Sequence, residues 1–331
     1  MTSFSPFSPG ADPELESAIR AGLAEVEAML HESVKSDYPF VTETSRHLVD
    51  AGGKRFRPLL VLLAAQFGDS AAPGVIPSAV VVELTHLATL YHDDVMDEAL
   101  LRRGAASANA RWDNSVAILT GDFLFARASD ILADLGPEAV RLQARTFERL
   151  VTGQIRETVG PGADDDRVEH YLSVLADKTG SLIATSGRFG AMLSGAPEPV
   201  VDVLTRFGER IGIAFQLSDD LLDVLSETDA SGKTPGTDLR EGVPTLPVLL
   251  LRRSPRPEDG RLLALLDRGL SDDADHAEAL SLLRAHPVVQ EAQAEVSRWA
   301  EEARAVLAPL PDVPAKRALS AICDRVVGRT V

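Results

Sequence analysis

Two stretches of this 331-residue chain repeat one arrangement of carboxylates, Asp93-Asp94-x-x-Asp97 and Asp219-Asp220-x-x-Asp223, each set within a run of apolar residues. Residues four apart lie one turn from each other on the same side of a helix, so Asp93 pairs with Asp97 and Asp219 with Asp223. Such a pair repels itself, and a hard divalent cation relieves the repulsion. Magnesium fits, because it binds through a few carboxylates together with waters and the oxygens of a phosphate-bearing ligand. His86 lies two turns before Asp93 in the same stripe, Gln216 stands one turn before the second set, and Asp94 is offset by one position. One such motif also describes a solvated acidic helix end. Two of them, more than a hundred residues apart, describe a site.

The cations sit in matching places: Lys54, Arg55 and Arg57 in GGKRFRP, Arg102 and Arg103 after the first acidic set, Lys178 in DKTG, and Lys233 in GKTPGTD. Lysine occurs only at positions 35, 54, 178, 233 and 316, so three of the five fall in glycine-associated motifs. Each alone reads as a surface charge. Beside two carboxylate arrays they describe a pocket for phosphate groups, with a diphosphate as the natural ligand. Thr179, next to Lys178, can either cap the following helix or donate to a phosphate oxygen. Facing helices would bring the carboxylate sets across a cleft, where magnesium would clamp one highly charged ligand.

The elements that must position these groups are helices. Apolar residues recur at helical spacing, as at Ile19, Leu23, Val26 and Leu30, and strand-like alternation is scarce, so the chain reads as all-α with about a dozen helices. Breaks fall at Gly52-Gly53, Pro73-Gly74, Gly136-Pro137, Gly160 to Gly162, Gly195 to Pro199, Gly232 to Gly236, Ser254 to Gly260 and Pro309 to Pro314. No segment resembles an interdomain linker. The expectation is a flexible tail over residues 1–11 and one helical domain over 12–331. Acidic clusters at Asp164–Asp166 and at Asp272, Asp273 and Asp275 sit where helices start and read as caps, and Trp112 and Trp299 as packing anchors.

Hydrophobic residues make up 45% and charged residues 25%, the balance of a protein that buries a large core. A formal net charge of −17 argues against nucleic acid or an anionic membrane as the main partner, so any anionic ligand needs a local basic cluster. The single cysteine, Cys323, allows no internal disulfide and suits a reducing compartment, and the start of the chain lacks a secretory pattern, so a cytoplasmic location is expected. The most apolar region, Pro58 to Val82, is interrupted by Asp69, Pro73, Gly74 and Pro77, and no membrane span is expected.

Taken in order, GGKRFRP, HDDVMDEALLRRG, DKTG, AFQLSDDLLD and GKTPGTDLREGVPTLP resemble the trans-isoprenyl diphosphate synthase family over nearly the whole chain, specifically its long-chain polyprenyl synthases of the actinobacterial octa- to decaprenyl kind. The resemblance implies the isoprenoid synthase fold, an antiparallel helical bundle around a central cavity, in a homodimer. It implies that Lys54, Arg57, His86 and Arg103 hold isopentenyl diphosphate. It implies that Asp93, Asp97 and Asp219 are the main magnesium ligands, with Asp94, Asp220 and Asp223 as metal or water partners and Asp238 behind them. Arg102, Lys178, Thr179, Gln216 and Lys233 match contacts to the allylic diphosphate, whether dimethylallyl, geranyl, farnesyl or geranylgeranyl. The implied reaction ionises the allylic diphosphate, adds the double bond of isopentenyl diphosphate to the cation and loses a proton, with no nucleophilic side chain needed. One departure stands out: Val243 occupies a position that is Lys in many relatives, and Arg240 is expected to compensate.

In that family, side chains just before the first acidic motif set product length. Ala88 and Thr89 are small where short-chain members carry an aromatic, which implies an open tunnel and a long product, serving menaquinone or ubiquinone synthesis, with menaquinone favoured. Small residues there also suit close helix packing, with the floor elsewhere. The competing readings are a geranylgeranyl or farnesyl diphosphate synthase, a regulatory subunit of a heteromeric synthase and a class I terpene cyclase. The two intact aspartate motifs and the second diphosphate site disfavour the last two.

Overall fold

The computed structural model describes residues 12–226 and 235–330. These fold into sixteen α-helical segments, a π turn, a short 3-10 turn and one small hairpin, so the all-α expectation holds. The first part comprises α1 (Pro13–Ser33), α2 (Pro39–Asp50), α3 (Phe56–Ala65), α4 (Val75–Met96), the hairpin strands β1 (Leu101–Arg102) and β2 (Ala105–Ala106), α5 (Ala108–Arg111), α6 (Asn114–Leu135) and α7 (Pro137–Val159). Then follow α8 (Arg167–Leu175), the π turn Ala176–Gly180, α9 (Ser181–Leu193), α10 (Glu198–Leu225), α11 (Thr237–Glu241) and α12 (Leu246–Arg253). The chain closes with α13 (Gly260–Arg268), α14 (Asp273–Ala285), α15 (Val288–Val306) and α16 (Pro314–Gly328). The count exceeds a dozen in part because the short α5 and α11 carry no run long enough to show a period.

Chain contacts fall into two compact units. One contains the residues up to Glu148, Leu182–Gly208 and Pro309–Ala321; the other contains Arg149–Ser181, Glu209–Ala308 and the residues from Ile322 on. In the first unit α4 is central, packing on α1, α3 and α6. Val80, Val81, Val82, Leu84, Leu87 and Ala88 are all fully buried, which explains why α4 is apolar nearly all round where an ordinary surface helix would be amphipathic. Close packing of α9 on α3 depends on Gly190: a Cβ there would lie 2.1 Å from the Val61 carbonyl oxygen and 2.8 Å from Ala64 Cβ. In the second unit α12 packs on α8 and α15, and α14 on α11, α13 and α15.

Helix starts follow the chemistry read from the sequence. Asp12 accepts from the Glu14 and Leu15 amides ahead of Pro13, Asp166 from those of Val168 and Glu169, and Asp272 from those of Ala274 and Asp275. The expected break at Gly232 to Gly236 lies largely outside the described residues, as do the 1–11 tail and Lys233. Among the described residues no helix is long and apolar enough to cross a membrane. Trp112 stands edge-on to His47 and Phe40 with the Arg111 guanidinium 4.4 Å over its ring, and Arg298 lies 4.9 Å over Trp299, so both tryptophans have packing roles.

Two outcomes are expected. Gly190→Ala forces backbone or helix movement, and chemical denaturation should show a loss of about 2 kcal/mol, as for other overpacked contacts. Cys323 is fully buried and its thiol is pushed up to about 12 by burial, so a thiol reagent at pH 8 should label the native protein negligibly and the denatured chain stoichiometrically.

Candidate active site

In the first unit the site is built on the loop before α3, the C-terminal half of α4 and the hairpin. The backbone of the GGKRFRP loop is unusual: Gly52, Gly53 and Arg55 all have positive φ, at 79°, 156° and 48°. A Cβ on Gly53 would meet the Arg103 guanidinium at 3.0 Å, so glycine at 53 leaves room for that side chain. Arg103 itself has φ 54° and Gly104 φ 81°, the two left-handed residues that a tight two-residue hairpin turn needs between β1 and β2. From that turn Arg103 Nη1 donates to the carbonyls of Leu48, at 3.1 Å, and Gly52.

At the centre of this cluster is Glu83 on α4, only 2% exposed. Arg55 donates to Glu83 Oε1 at 2.9 Å and makes a bidentate contact with Glu27 of α1 at 2.8 and 2.9 Å. Arg55, grouped in the sequence with the ligand cations, therefore ties α1, α3 and α4 together. Arg57 differs. Its Nε is buried without a hydrogen-bond partner, and burial lowers its pKa to about 10, with Glu83 opposing and Arg103 adding to that shift. Burial also lowers Arg103. His86 is pushed well below the ordinary histidine range, by burial first and then by the charges of Arg57, Arg103 and Arg102. Around Glu83, Arg55, Arg57 and Arg103 are half-buried, so three guanidinium groups face one buried carboxylate. Lys54 is exposed at the edge of this loop.

The predicted stripe on α4 is present: His86 and Asp93 are half-buried and Asp97 is exposed where the helix ends, its amide bonding to the Asp93 carbonyl at 2.8 Å. Asp94, one position off the stripe, is turned fully inward. Burial raises its pKa, and Arg102 opposes that shift through contacts of 2.6 and 2.5 Å to Oδ1. Arg102, expected at the allylic diphosphate, and Asp94, expected as a metal or water partner, thus hold each other and fix the hairpin to α4. Ala88 is fully buried, and the Ala88 carbonyl lies 3.1 Å from where a Cβ on Gly121 of α6 would stand, so close helix packing is part of its role. Thr89 is half-buried and its hydroxyl donates to the His86 carbonyl at 2.8 Å.

The second unit holds the other set. DKTG forms the π turn rather than a helix start, so Thr179 caps nothing, and its hydroxyl donates to Gln216 Oε1 at 3.2 Å. Lys178 Nζ contacts Glu157 of α7 at 2.5 Å, and Arg149 grips Asp177 at 3.0 Å and Glu209 at 2.9 Å, which anchors the turn. On α10 the three aspartates have different surroundings. Asp219 accepts from Arg329, whose guanidinium also lies 5.2 Å over the Phe215 ring. Asp220 accepts from the Gln216 amide at 2.8 Å and from the Tyr171 hydroxyl, and its pKa is pushed up to about 6, chiefly by burial. Asp223 accepts from the amides of Thr237 and Asp238 at 3.2 and 3.0 Å, holding the start of α11. Asp220 and Asp223, expected as metal or water partners, thus already have both carboxylate oxygens engaged by protein donors. Arg240, expected to compensate for Val243, is instead held by Asp273 at 2.8 Å and His276 at 3.2 Å on α14.

Among the described residues no three His, Cys, Asp or Glu side chains gather closely enough to hold a metal on their own. The donors are still of the hard-oxygen kind, and magnesium usually takes only one or two carboxylates and draws its other ligands from water and phosphate. Sequence reasoning missed Glu83 as the keystone, although a lone acid in an apolar run was a usable signal. It also missed Tyr171 and Arg329, which no local pattern marks.

Replacing Glu83 with Gln removes the one buried carboxylate among Arg55, Arg57 and Arg103, and urea denaturation should show a loss of about 3 kcal/mol. Arg57→Met should leave the unliganded protein at least as stable, because it relieves repulsion and an orphaned donor.

The polyprenyl synthetase family profile matches residues 38–283. A nonaprenyl diphosphate synthase of Mycobacterium tuberculosis is 51% identical over 319 residues, covering 96% of this chain and 95% of that protein. The crystal structure of a geranylgeranyl pyrophosphate synthase from Corynebacterium glutamicum, complexed with calcium and isoprenyl diphosphate, superposes with a TM-score of 0.87 at 48% identity, covering 98% of this chain and 99% of that one. That of a decaprenyl diphosphate synthase from Rhodobacter capsulatus gives 0.87 at 34% identity, covering 96% and 99%. The buried cationic cluster, the aspartates of α4 and α10 and these likenesses agree: this chain is a prenyltransferase and belongs to the polyprenyl synthetase family.

Proposed function

We propose that the protein is a long-chain all-trans polyprenyl diphosphate synthase, which condenses isopentenyl diphosphate repeatedly onto an allylic diphosphate primer. The observation that carries this reading is the buried, orphaned Arg57 Nε at a site where three half-buried guanidinium groups, those of Arg55, Arg57 and Arg103, share one buried carboxylate, Glu83. Such a pocket is stabilised by a multiply charged anion and is costly without one. Lys54, Arg57, His86 and Arg103 would hold the diphosphate of isopentenyl diphosphate. His86, whose pKa is lowered by burial and by the neighbouring arginines, can donate a ring N–H to the diphosphate.

Arg102, Lys178, Thr179 and Gln216, with Lys233, would contact the allylic diphosphate. Asp93, Asp97 and Asp219 would supply the carboxylates for Mg²⁺, with Asp94, Asp220 and Asp223 holding the surrounding structure in place. Magnesium, when bound, would neutralise the departing diphosphate. The side chains do the rest by placement: guanidinium and ammonium groups fix the two diphosphates, and the apolar surroundings of α4 keep water from the allylic cation. Residues 12–331 would act as one synthase domain behind a 1–11 tail. Exposed Leu100, Leu101, Ile118 and Leu119 support a homodimer through the α6 side of the first unit, and the single cysteine supports a reducing compartment, the cytoplasm. The long products suit a quinone side chain, menaquinone in particular.

The test is incubation with Mg²⁺, labelled isopentenyl diphosphate and farnesyl diphosphate, followed by chromatography of the dephosphorylated products. A ladder ending near octa- to decaprenol is expected. A product that stops at geranylgeraniol would overturn the long-chain assignment, an outcome that the likeness to the Corynebacterium protein makes worth resolving. Absence of any extension would overturn the enzymatic reading. In the same assay Arg57→Met should raise KM for isopentenyl diphosphate by at least tenfold with a smaller effect on the allylic substrate, and Ala88→Phe should shorten the ladder.

A further inference from the structure

Tyr171 has no place in the chemistry above, yet it reaches from α8 to an aspartate of the second acidic set. Its hydroxyl donates to Asp220 Oδ2, while Gln216 Nε2 donates to Oδ1 at 2.8 Å. An ionised carboxylate has no hydrogen to give, so it accepts at both oxygens. The Gln216 amide is therefore turned with its NH₂ toward Asp220 and its carbonyl toward Thr179, whose hydroxyl donates to that oxygen at 3.2 Å. The NH₂ carries two hydrogens and Asp220 takes one. What remains on Gln216 is a free donor beside a covered acceptor.

That orientation matters for a ligand made of phosphate oxygens. Such a ligand is bound by donors and repelled by lone pairs. An amide flipped about its last torsion would face it with a carbonyl. A glutamine alone has no strong preference between the two orientations, since its terminal torsion is roughly two-fold. The choice is made by the acceptor-only group beside it, and that group is aimed by the phenol.

We propose that Tyr171 and Asp220 are a positioning pair, which locks the Gln216 amide with a donor free for the allylic diphosphate, and that Asp220 serves this role rather than ligating metal. The proposal rests on the synthase reading given above. It gives the α10 aspartates different work. Asp219 accepts from the Arg329 guanidinium and remains the carboxylate that a metal can recruit, whereas Asp220 is held from both sides.

The test uses the full chain and a non-reacting allylic thiodiphosphate, with affinity measured by calorimetry at saturating Mg²⁺ and the Mg²⁺ requirement measured by titration. Tyr171→Phe should weaken the analogue about tenfold, the scale of one hydrogen bond to a charged group, with the magnesium midpoint and the KM for isopentenyl diphosphate within about twofold of wild type. Asp220→Asn should weaken it at least as much, because an asparagine can present its own N–H to Gln216 and turn the amide over. In a Gln216→Ala background, Tyr171→Phe should have no further effect, whereas a merely structural tyrosine would add its full loss. Unchanged analogue affinity in Tyr171→Phe overturns the proposal. So does an Asp220→Asn variant whose only defect is a raised Mg²⁺ requirement; in both cases the synthase reading survives. A wild-type protein that binds no analogue removes that reading and the proposal together.

Discussion

The first unit is organised around one electrostatic constraint: three half-buried guanidinium groups, those of Arg55, Arg57 and Arg103, surround one buried carboxylate, Glu83. Among the described residues Glu83 is the only acid inside the cluster, and Arg55 already claims it together with Glu27. Burying cations without partners is expensive, and the fold meets that demand in two ways. Backbone carbonyls of Leu48 and Gly52 take hydrogen bonds from Arg103, and burial together with the neighbouring arginines lowers the pKa of His86. What is left unmet, the Nε of Arg57, is a standing preference for an anion. Helix placement follows from the same network, because Arg55 joins α1, α3 and α4 while Arg102 joins the hairpin to α4 through Asp94.

Identical spacing does not produce identical roles. Asp93 and Asp97 end a helix, with Asp97 open to solvent, while Asp94 between them is sealed against Arg102. On α10 the same pattern gives one aspartate facing an arginine from the end of the chain, one held by an amide and a phenol, and one spent on the amides that start α11. Each difference comes from what another segment brings: Arg102 from the hairpin, Arg329 from beyond α16, Tyr171 from α8, and the Thr237 and Asp238 amides from the chain after α10.

Much of this was legible in the residues. The helical period, the Gly and Pro breaks and the capping aspartates predicted an all-α chain with most boundaries in place, and the α4 stripe of His86, Asp93 and Asp97 was read correctly, with Asp94 off it. The π turn at DKTG was not legible, because Lys178, Thr179 and Gly180 carry no local signal that separates a wide turn from a helix start. The short α5 and α11 and the β1–β2 hairpin also escaped, since two to five residues cannot establish a period.

By itself the sequence determined which side chains are available for phosphate and metal chemistry, and along which faces of which helices they lie, because helical geometry converts spacing into direction. Only the tertiary structure decided which of them are free to act. Arg55 and Arg57 are two residues apart and chemically alike, yet one is bound to two carboxylates and the other is left with an unpartnered buried donor. That distinction depends on Glu27 and Glu83, 28 residues from Arg55 on either side, and no local pattern encodes a partner at that distance.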